Sequence, residues 1–357
     1  MRKNKFKVVV YAITKNEEKF VDRWVDSMQE ADEIVVLDTG SDDETVSKLQ
    51  ARGVKVTVQK IEPWRFDVAR NKSLEAVPDD ADICVCTDLD EVFVPGWRTT
   101  LENLWQEETT RLRYNYNWSL DEDDKPLVNF YIKKGYRWTH PVHEVLSYDG
   151  IENFLTTDDI TVNHYPDKEK SRTSYLPLLE LSVEESPKDD RNVHYLGREY
   201  MYYGKWNEAI DTLIYHLTLP TATWKDERCA SMRFISRCYK NLKRYDEAKL
   251  WLDKAMVEAP YLRDPFVERE LLAYSLNEWY DVIKYGKRAL SIVEHPKSYI
   301  NEIFSFDGTP YDLMSLAYYY IGEKNLALEY VKKALIYSPN DERLLNNKKI
   351  FEDALKN

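Results

Sequence analysis

Thr87-Asp88-Leu89-Asp90-Glu91 follows directly on Ile83-Cys84-Val85-Cys86, and this junction decides the fold. A short run with no polar position reads as a strand buried on both faces, which is the mark of a parallel sheet covered by helices. Three carboxylates in the next five residues place negative charge at the carboxyl edge of that sheet, where open α/β folds bind ligands. Acids gathered there repel one another unless a cation joins them, and an oxygen-rich site suits Mg²⁺ or Mn²⁺.

Outward from this junction the same grammar repeats. Val8–Ile13 reads as a strand, and Phe20, Trp24 and Met28 recur at the spacing of one helix face. Ile34–Leu37 is a second buried strand. Ser41-Asp42-Asp43-Glu44 has the form of a capping box opening a helix to about Ala51. Val54–Val58 is a third strand and Phe66–Ala76 a helix. Strand and helix in alternation imply a parallel sheet with helices on both faces. Leu112, Tyr114, Tyr116 and Trp118 then alternate with polar residues, Asp121–Pro126 forms a polar turn, and Leu127–Ile132 returns. That pattern predicts an antiparallel hairpin added to the sheet.

From about Ser171 onward the periodicity is helical. Lys205-Trp206-Asn207-Glu208-Ala209 is echoed at Arg244-Tyr245-Asp246-Glu247-Ala248, at Glu278–Val282 and at Glu323–Ala327. Prolines 220, 260, 296 and 339 close the units. An aromatic with a small residue three positions on, near a ~34-residue period, is similar to tetratricopeptide repeats. Thr221–Asp226 and Ser298–Pro310 read as insertions. The sequence therefore predicts two domains, residues 1–168 and 169–357.

Bulk composition narrows the function. The chain has 357 residues, 43% hydrophobic and 32% charged, with a formal net charge of −13. Such a surface does not attract nucleic acid or anionic lipid in general. Met1–Lys7 is basic, but the apolar run behind it ends in Lys15-Asn16-Glu17-Glu18 without a cleavage site, and no stretch reaches the ~20 apolar residues of a membrane span. The four cysteines have no metal-ligand spacing and read as buried thiols. A cytoplasmic protein is expected.

Four blocks lie near the ends of successive strands: Ala12–Glu18, Leu37–Ser41, Asp67–Asn71 and the acidic cluster. A nucleotide requires an acceptor for base N–H groups, an acceptor for ribose hydroxyls and cationic help for its phosphates. Asp38 or Glu17 suits the first, Asp88 the second, and Arg70 with a metal on Asp90 the third.

In the order and spacing of these blocks, residues 6–165 resemble family 2 glycosyltransferases of the GT-A fold. The nearest likeness is to bacterial members with C-terminal tetratricopeptide-like regions, among them lipopolysaccharide-core glucosyltransferases and glycocin peptide S-glycosyltransferases. The resemblance implies a Rossmann-like α/β domain followed by an all-α repeat domain. It also implies inverting transfer from a nucleotide sugar, usually a UDP-sugar, with Mn²⁺ or Mg²⁺. Asp88 and Asp90 map to the ribose and metal contacts of a DXD motif, and Glu17 and Asp38, with Ile13 and Thr14 beside them, to the base. Arg70 maps to the family arginine. A histidine commonly supplies a further metal ligand in this fold, which points to His143 or His164. Four of the six histidines, His140, His143, His164 and His194, fall at or just after the end of this region.

Inverting transfer also requires a general base for the acceptor, and Glu144 and Glu91 are the carboxylates available, Glu144 being preferred because it follows the hairpin. The acceptor is a peptide, a protein or a glycan, and the repeats offer a surface for it or for self-association. A nucleotidyltransferase is the alternative enzyme, disfavoured because Ala12–Glu18 contains no glycine. A repeat scaffold with a degenerate sugar-nucleotide domain is the non-enzymatic alternative, disfavoured by the intact Arg70, Asp88 and Asp90.

Overall fold

The computed structural model describes residues 5–117, 127–132, 135–167, 175–296, 298 and 300–356. The chain forms two compact units, Met1–Ser182 and Val183–Asn357. The expected junction at residues 168–169 lies outside the described residues, as do Trp118 and the Asp121–Pro126 turn.

In the first unit, β1 (Val8–Thr14) is buried along its whole length. It pairs in parallel with β2 (Glu33–Asp38) on one side and β4 (Ile83–Cys86) on the other, and β3 (Lys55–Val58) extends the sheet beyond β2. Alternate residues of β1 face two covered layers, which explains why Val8–Ile13 has no charged position. Val8, Val10 and Ala12 pack with Trp24, Val25 and Met28 of α1 (Val21–Met28) and with Trp97 and Leu101 of α4 (Trp97–Leu104). Val9 and Tyr11 face the opposite layer, with Leu74 of α3 (Phe66–Glu75), Val77 and Tyr131. Each face is thus covered, as a parallel strand requires.

The expected hairpin is present: β6 (Arg111–Asn117) and β7 (Leu127–Tyr131) pair antiparallel, and β7 joins β4. Tyr114 and Tyr116 are buried in the core. The sheet then continues beyond the expectation through two more strands, Phe154–His164 (β10) and Glu91–Phe93 (β5), in the order β3-β2-β1-β4-β7-β6-β10-β5. β10 runs parallel to β6, and β5 closes the edge antiparallel to β10. β8 (Tyr136–Thr139) and β9 (Val145–Tyr148) form a separate two-stranded ribbon. β10 is hard to see in sequence because its centre, Thr156-Thr157-Asp158-Asp159, reads as a turn; the ladder shifts register there, between Thr156 and Thr161.

The acidic cluster is the link between β4 and β5. Four strand steps separate these two in the sheet, about 19 Å if flat, whereas the five Cα steps from Cys86 to Glu91 reach about 18 Å at full extension. The sheet therefore curls to bring β5 back. Phe93 of β5 seals that curl, stacked on Trp97 and Phe130 with ring centroids 4.7 and 5.7 Å away.

The helix α2 (Thr45–Ala51) starts later than the capping box predicts, and Glu44 at its N-cap makes no side-chain cap bond. Ser41 is engaged elsewhere: its hydroxyl donates to Asp38 and accepts from the Asn16 amide at 2.8 Å. Asp43 caps instead, accepting from the Thr45 amide at 2.9 Å.

The second unit is built of tetratricopeptide-like helix pairs: α6 (Asp190–Tyr202) with α7 (Trp206–Thr218), α8 (Lys225–Asn241) with α9 (Tyr245–Glu258), α10 (Asp264–Ser275) with α11 (Trp279–Leu290), and α12 (Thr309–Tyr320) with α13 (Lys324–Tyr337). A final helix, α14 (Glu342–Lys356), packs on α13, and α5 (Tyr175–Glu185) runs across the division between the units. Each sequence echo opens the second helix of a pair. Its small residue is fully buried as Ala209, Ala248 and Ala327, with Val282 in the third pair. The residue just before each echo, Gly204, Lys243, Asn277 or Gly322, has φ between 58° and 86°. A left-handed residue ends the first helix and turns the chain back. The four cysteines are free thiols. Among the described residues no helix is long and apolar enough to cross a membrane.

Candidate active site

β1 ends in Thr14, whose hydroxyl donates to Glu17 at 3.1 Å, and both side chains are buried. The Glu17 amide is held by Thr45 Oγ1 at 2.8 Å, and Ile13 packs with Leu37, Ile61 and Ala69. Asp38, at the end of β2, is completely buried. Its carboxylate accepts from the Gly40 and Ser41 amides, both at 2.9 Å, and from the Ser41 hydroxyl. In this structure Asp38 shapes its own turn, which closes through Gly40 at φ +112°.

Arg70 sits on α3, which is clamped to β8 by two bonds of 2.9 Å between the Asn71 side chain and the Trp138 backbone. The guanidinium lies 5.3 Å from the Trp138 ring. It donates through Nε to Glu144, through Nη1 to Cys86 Sγ at 3.0 Å and through Nη2 to Asp88 at 3.3 Å. Burial opposes its charge, but the carboxylates of Asp88 and Glu144 outweigh that and hold its pKa well above the usual range. Burial also pushes the Cys86 thiol up to about 12, so it is a neutral neighbour rather than a nucleophile. One residue thus joins blocks three and four to the distant Glu144.

Within the acidic turn the three carboxylates differ. Asp88 is the open one, with 43% of its side chain exposed. Glu91 is turned inward and accepts from the Asp88 amide at 3.0 Å. Burial, and then the charge of Asp88, raises its pKa well above the usual carboxylate range. Asp90 is buried, and its Oδ2 lies 3.5 Å from His164 Nε2. The pairing follows from the sheet: His164 of β10 is in register with Glu91 of β5, and the Asp90 carbonyl accepts from the Tyr165 amide at 2.8 Å. Tyr116 supports the His164 ring at 5.6 Å.

The remaining histidines diverge. His140 and His143 both have left-handed backbone, at φ 78° and 51°, in the turn between β8 and β9. The His143 ring lies against Tyr175 at 5.8 Å, and among the described residues it does not form a three-ligand cluster with Asp90 and His164. His194 belongs to the second unit, in α6, where burial pushes its pKa down to about 3. Sequence proximity to the other histidines is therefore misleading for His194.

Residues that sequence reasoning left without a role are Cys86, Asn71, Trp138, Tyr116 and Tyr165. Asn71 stood beside Arg70 in a block already singled out, which was the available clue; its bond to Trp138 and the roles of the others depend on tertiary pairing.

Residues 9–147 match the model of the family described as Glycosyl transferase family 2. No curated protein matches. Among solved structures, the chain is similar to MamA at 21% identity, with 50% of this chain and 99% of that chain covered and a TM-score of 0.39. A thermophilic TPR protein of Thermus thermophilus aligns at 21% identity over 51% of this chain and 89% of its own, with a TM-score of 0.35. Glucosyl-3-phosphoglycerate synthase from Mycobacterium tuberculosis, solved with Mn²⁺, UDP and glucosyl-3-phosphoglycerate, aligns at 24% identity over 32% of this chain and 45% of its own, with a TM-score of 0.26.

Proposed function

We propose that the chain is a metal-dependent, inverting glycosyltransferase that moves a hexosyl group from a UDP-sugar to a peptide, protein or glycan acceptor. The observation that carries this reading is Arg70: one guanidinium bonded to Cys86, Asp88 and Glu144 at the carboxyl edge of the sheet, within the region that matches family 2.

Asp90 and His164 would hold the divalent ion. A carboxylate oxygen and an imidazole nitrogen 3.5 Å apart fit one small ion between them, and a mixed oxygen–nitrogen pair favours Mn²⁺ over Mg²⁺. When bound, the ion neutralises charge on the departing diphosphate. His143 stands outside this pair and is not assigned as a ligand. Asp88, the exposed acid, accepts from the ribose hydroxyls. Ile13, Thr14 and Glu17, with the turn that Asp38 holds, line the side of the base.

Arg70 would stabilise the negative charge that develops on the leaving group. The acceptor hydroxyl or thiol attacks the anomeric carbon as the bond from that carbon to the diphosphate oxygen breaks. Its proton passes to Glu144, and nucleoside diphosphate departs. Glu91 is a positioning residue, since its carboxyl holds the Asp88 amide and faces inward. The repeat unit offers a surface that a peptide or protein acceptor could use.

Titration calorimetry of UDP into the chain, with Mn²⁺ and with chelator, tests the reading. We expect Mn²⁺ to tighten binding at least ~10-fold, about 1.4 kcal/mol, and Asp90→Asn to remove that gain. Equal heats in both conditions would remove the metal from the mechanism. Absence of hydrolysis across a panel of nucleotide sugars, together with no UDP binding, would overturn the assignment.

A further inference from the structure

The second unit contains a polar cluster that the glycosyl-transfer site does not use. His194 of α6, His216 of α7 and Glu227 of α8 bring one ligand atom each to within 4.8 Å of one another. Among the described residues this is the one group of three or more His, Cys, Asp or Glu side chains gathered closely enough to hold an ion. Both imidazoles have no solvent exposure and Glu227 has 5%. His216 Nε2 lies 3.4 Å from Glu227 Oε1, and neither histidine Nε2 makes a hydrogen bond.

A buried ring nitrogen that makes no hydrogen bond costs roughly 1–3 kcal/mol if nothing engages it. The opposite edges of the same rings are carefully held. Ser231 Oγ lies 2.8 Å from His194 Nδ1 and 3.0 Å from His216 Nδ1. A hydroxyl oxygen has two lone pairs, so Ser231 can accept from both Nδ1–H groups at once. That tautomer pair leaves both Nε2 atoms unprotonated and able to ligate, with His216 Nε2 3.4 Å from Glu227 Oε1. Ligating histidines are oriented in this way, by a hydrogen bond on the ring nitrogen that does not bind.

We propose that His194, His216 and Glu227 form a second, structural metal site, built for a borderline divalent ion of the Zn²⁺ type. Two imidazoles and a carboxylate are a donor set that suits Zn²⁺, and complete burial favours a permanent ion over an exchanging catalytic one. The ion would tie three successive helices together at the start of the repeat array. It is independent of the Asp90 site, because all its ligands lie in the second unit.

The test uses the full chain, stripped with chelator, reloaded with Zn²⁺, desalted and assayed by elemental mass spectrometry. One Zn²⁺ per chain is expected in wild type and in Asp90→Asn, with none retained by His194→Gln or His216→Gln. Metal-free wild type or Asp90→Asn after desalting, or full retention by the histidine variants, overturns the site. If those variants do not fold, Co²⁺ loading of Asp90→Asn decides. Intense visible bands of a four- or five-coordinate ion and a raised thermal midpoint support the site. The spectrum of hydrated Co²⁺ with an unchanged midpoint overturns it.

Discussion

Two arginines, one in each unit, sit among acids, and they are not doing the same thing. Arg233 on α8 has 1% of its side chain exposed; it bonds Glu268 at 2.8 Å and the Ile300 carbonyl at 2.7 Å. Glu268, 7% exposed, is also held by Arg237 at 2.7 Å. Arg70 is nearly as buried, at 12%, yet its partner Asp88 is 43% exposed. In the Arg233 network the acid that both arginines share is buried, and the more open Glu302 is itself held by Arg237, so the network serves the fold. A network with one acid open to solvent can exchange that acid for a ligand, which is what a binding site requires. The exposure of the partner, more than the burial of the cation, separates the two.

Three substitutions press on this contrast. Arg233→Met is expected to be the most damaging, destabilising the chain by about 3–5 kcal/mol because it leaves Glu268 buried opposite Arg237 alone. Burial by itself would raise the Glu268 pKa, and Arg237 with Arg233 overcomes that and lowers it. A lowered folded-state pKa contributes stability above the unfolded value, lost as pH falls through the folded one. The penalty of Arg233→Met, read by urea denaturation, should therefore shrink in acid; an equal penalty at pH 7 and pH 3 would argue that Arg233 acts through packing alone.

Arg70→Ala is expected to cost about 10²–10³-fold in kcat/KM for transfer, about 2.7–4 kcal/mol, with a smaller loss in thermal stability. Were its melting midpoint to fall as far as that of Arg233→Met with activity per folded molecule intact, the contrast would collapse. The smallest effect concerns Glu270 on α10, fully buried with both carboxylate oxygens unpartnered among the described residues. Burial, then the charge of Asp312, raises its pKa well above the usual value. A raised carboxyl pKa means stability that is full below the unfolded pKa and declines as pH rises toward the folded one. Glu270→Gln should stabilise the chain by about 1–3 kcal/mol at pH 7.5 and by little near pH 4. No gain at pH 7.5 would show that Glu270 has a cation for company.

The parts legible in sequence were those set by local pattern. β1 and β4 could be read because both faces are buried, and the helix pairs because Trp206, Tyr245 and Trp279 each open a second helix with a small or branched residue three positions on. What escaped depends on distant pairing. Glu144 meets Arg70 across 74 residues, where the clamp of Asn71 on Trp138 and the bond from the Phe66 amide to the Pro141 carbonyl hold α3 against the β8–β9 turn. His164 reaches Asp90 through the register of β10 on β5, two strands whose sequences, one short and one broken by polar residues, carry little signal. Ser41 shows the reverse error: its capping motif was legible, but Asp38 and Asn16 claim its hydroxyl ahead of the helix.

The pairing of β5 with β10 has a temporal side. Val92 and Phe93 find their ladder partners in Asn163 and Val162, made about seventy residues later. As the chain leaves the ribosome, β1, β2 and β4 can associate early, while Asp88–Asp90 must wait for a strand not yet synthesised. Closing so long a loop adds an entropic step that the early sheet does not face. The acidic turn would then be among the last pieces of its unit to acquire shape, so a nascent chain short of His164 would carry the acids without the site.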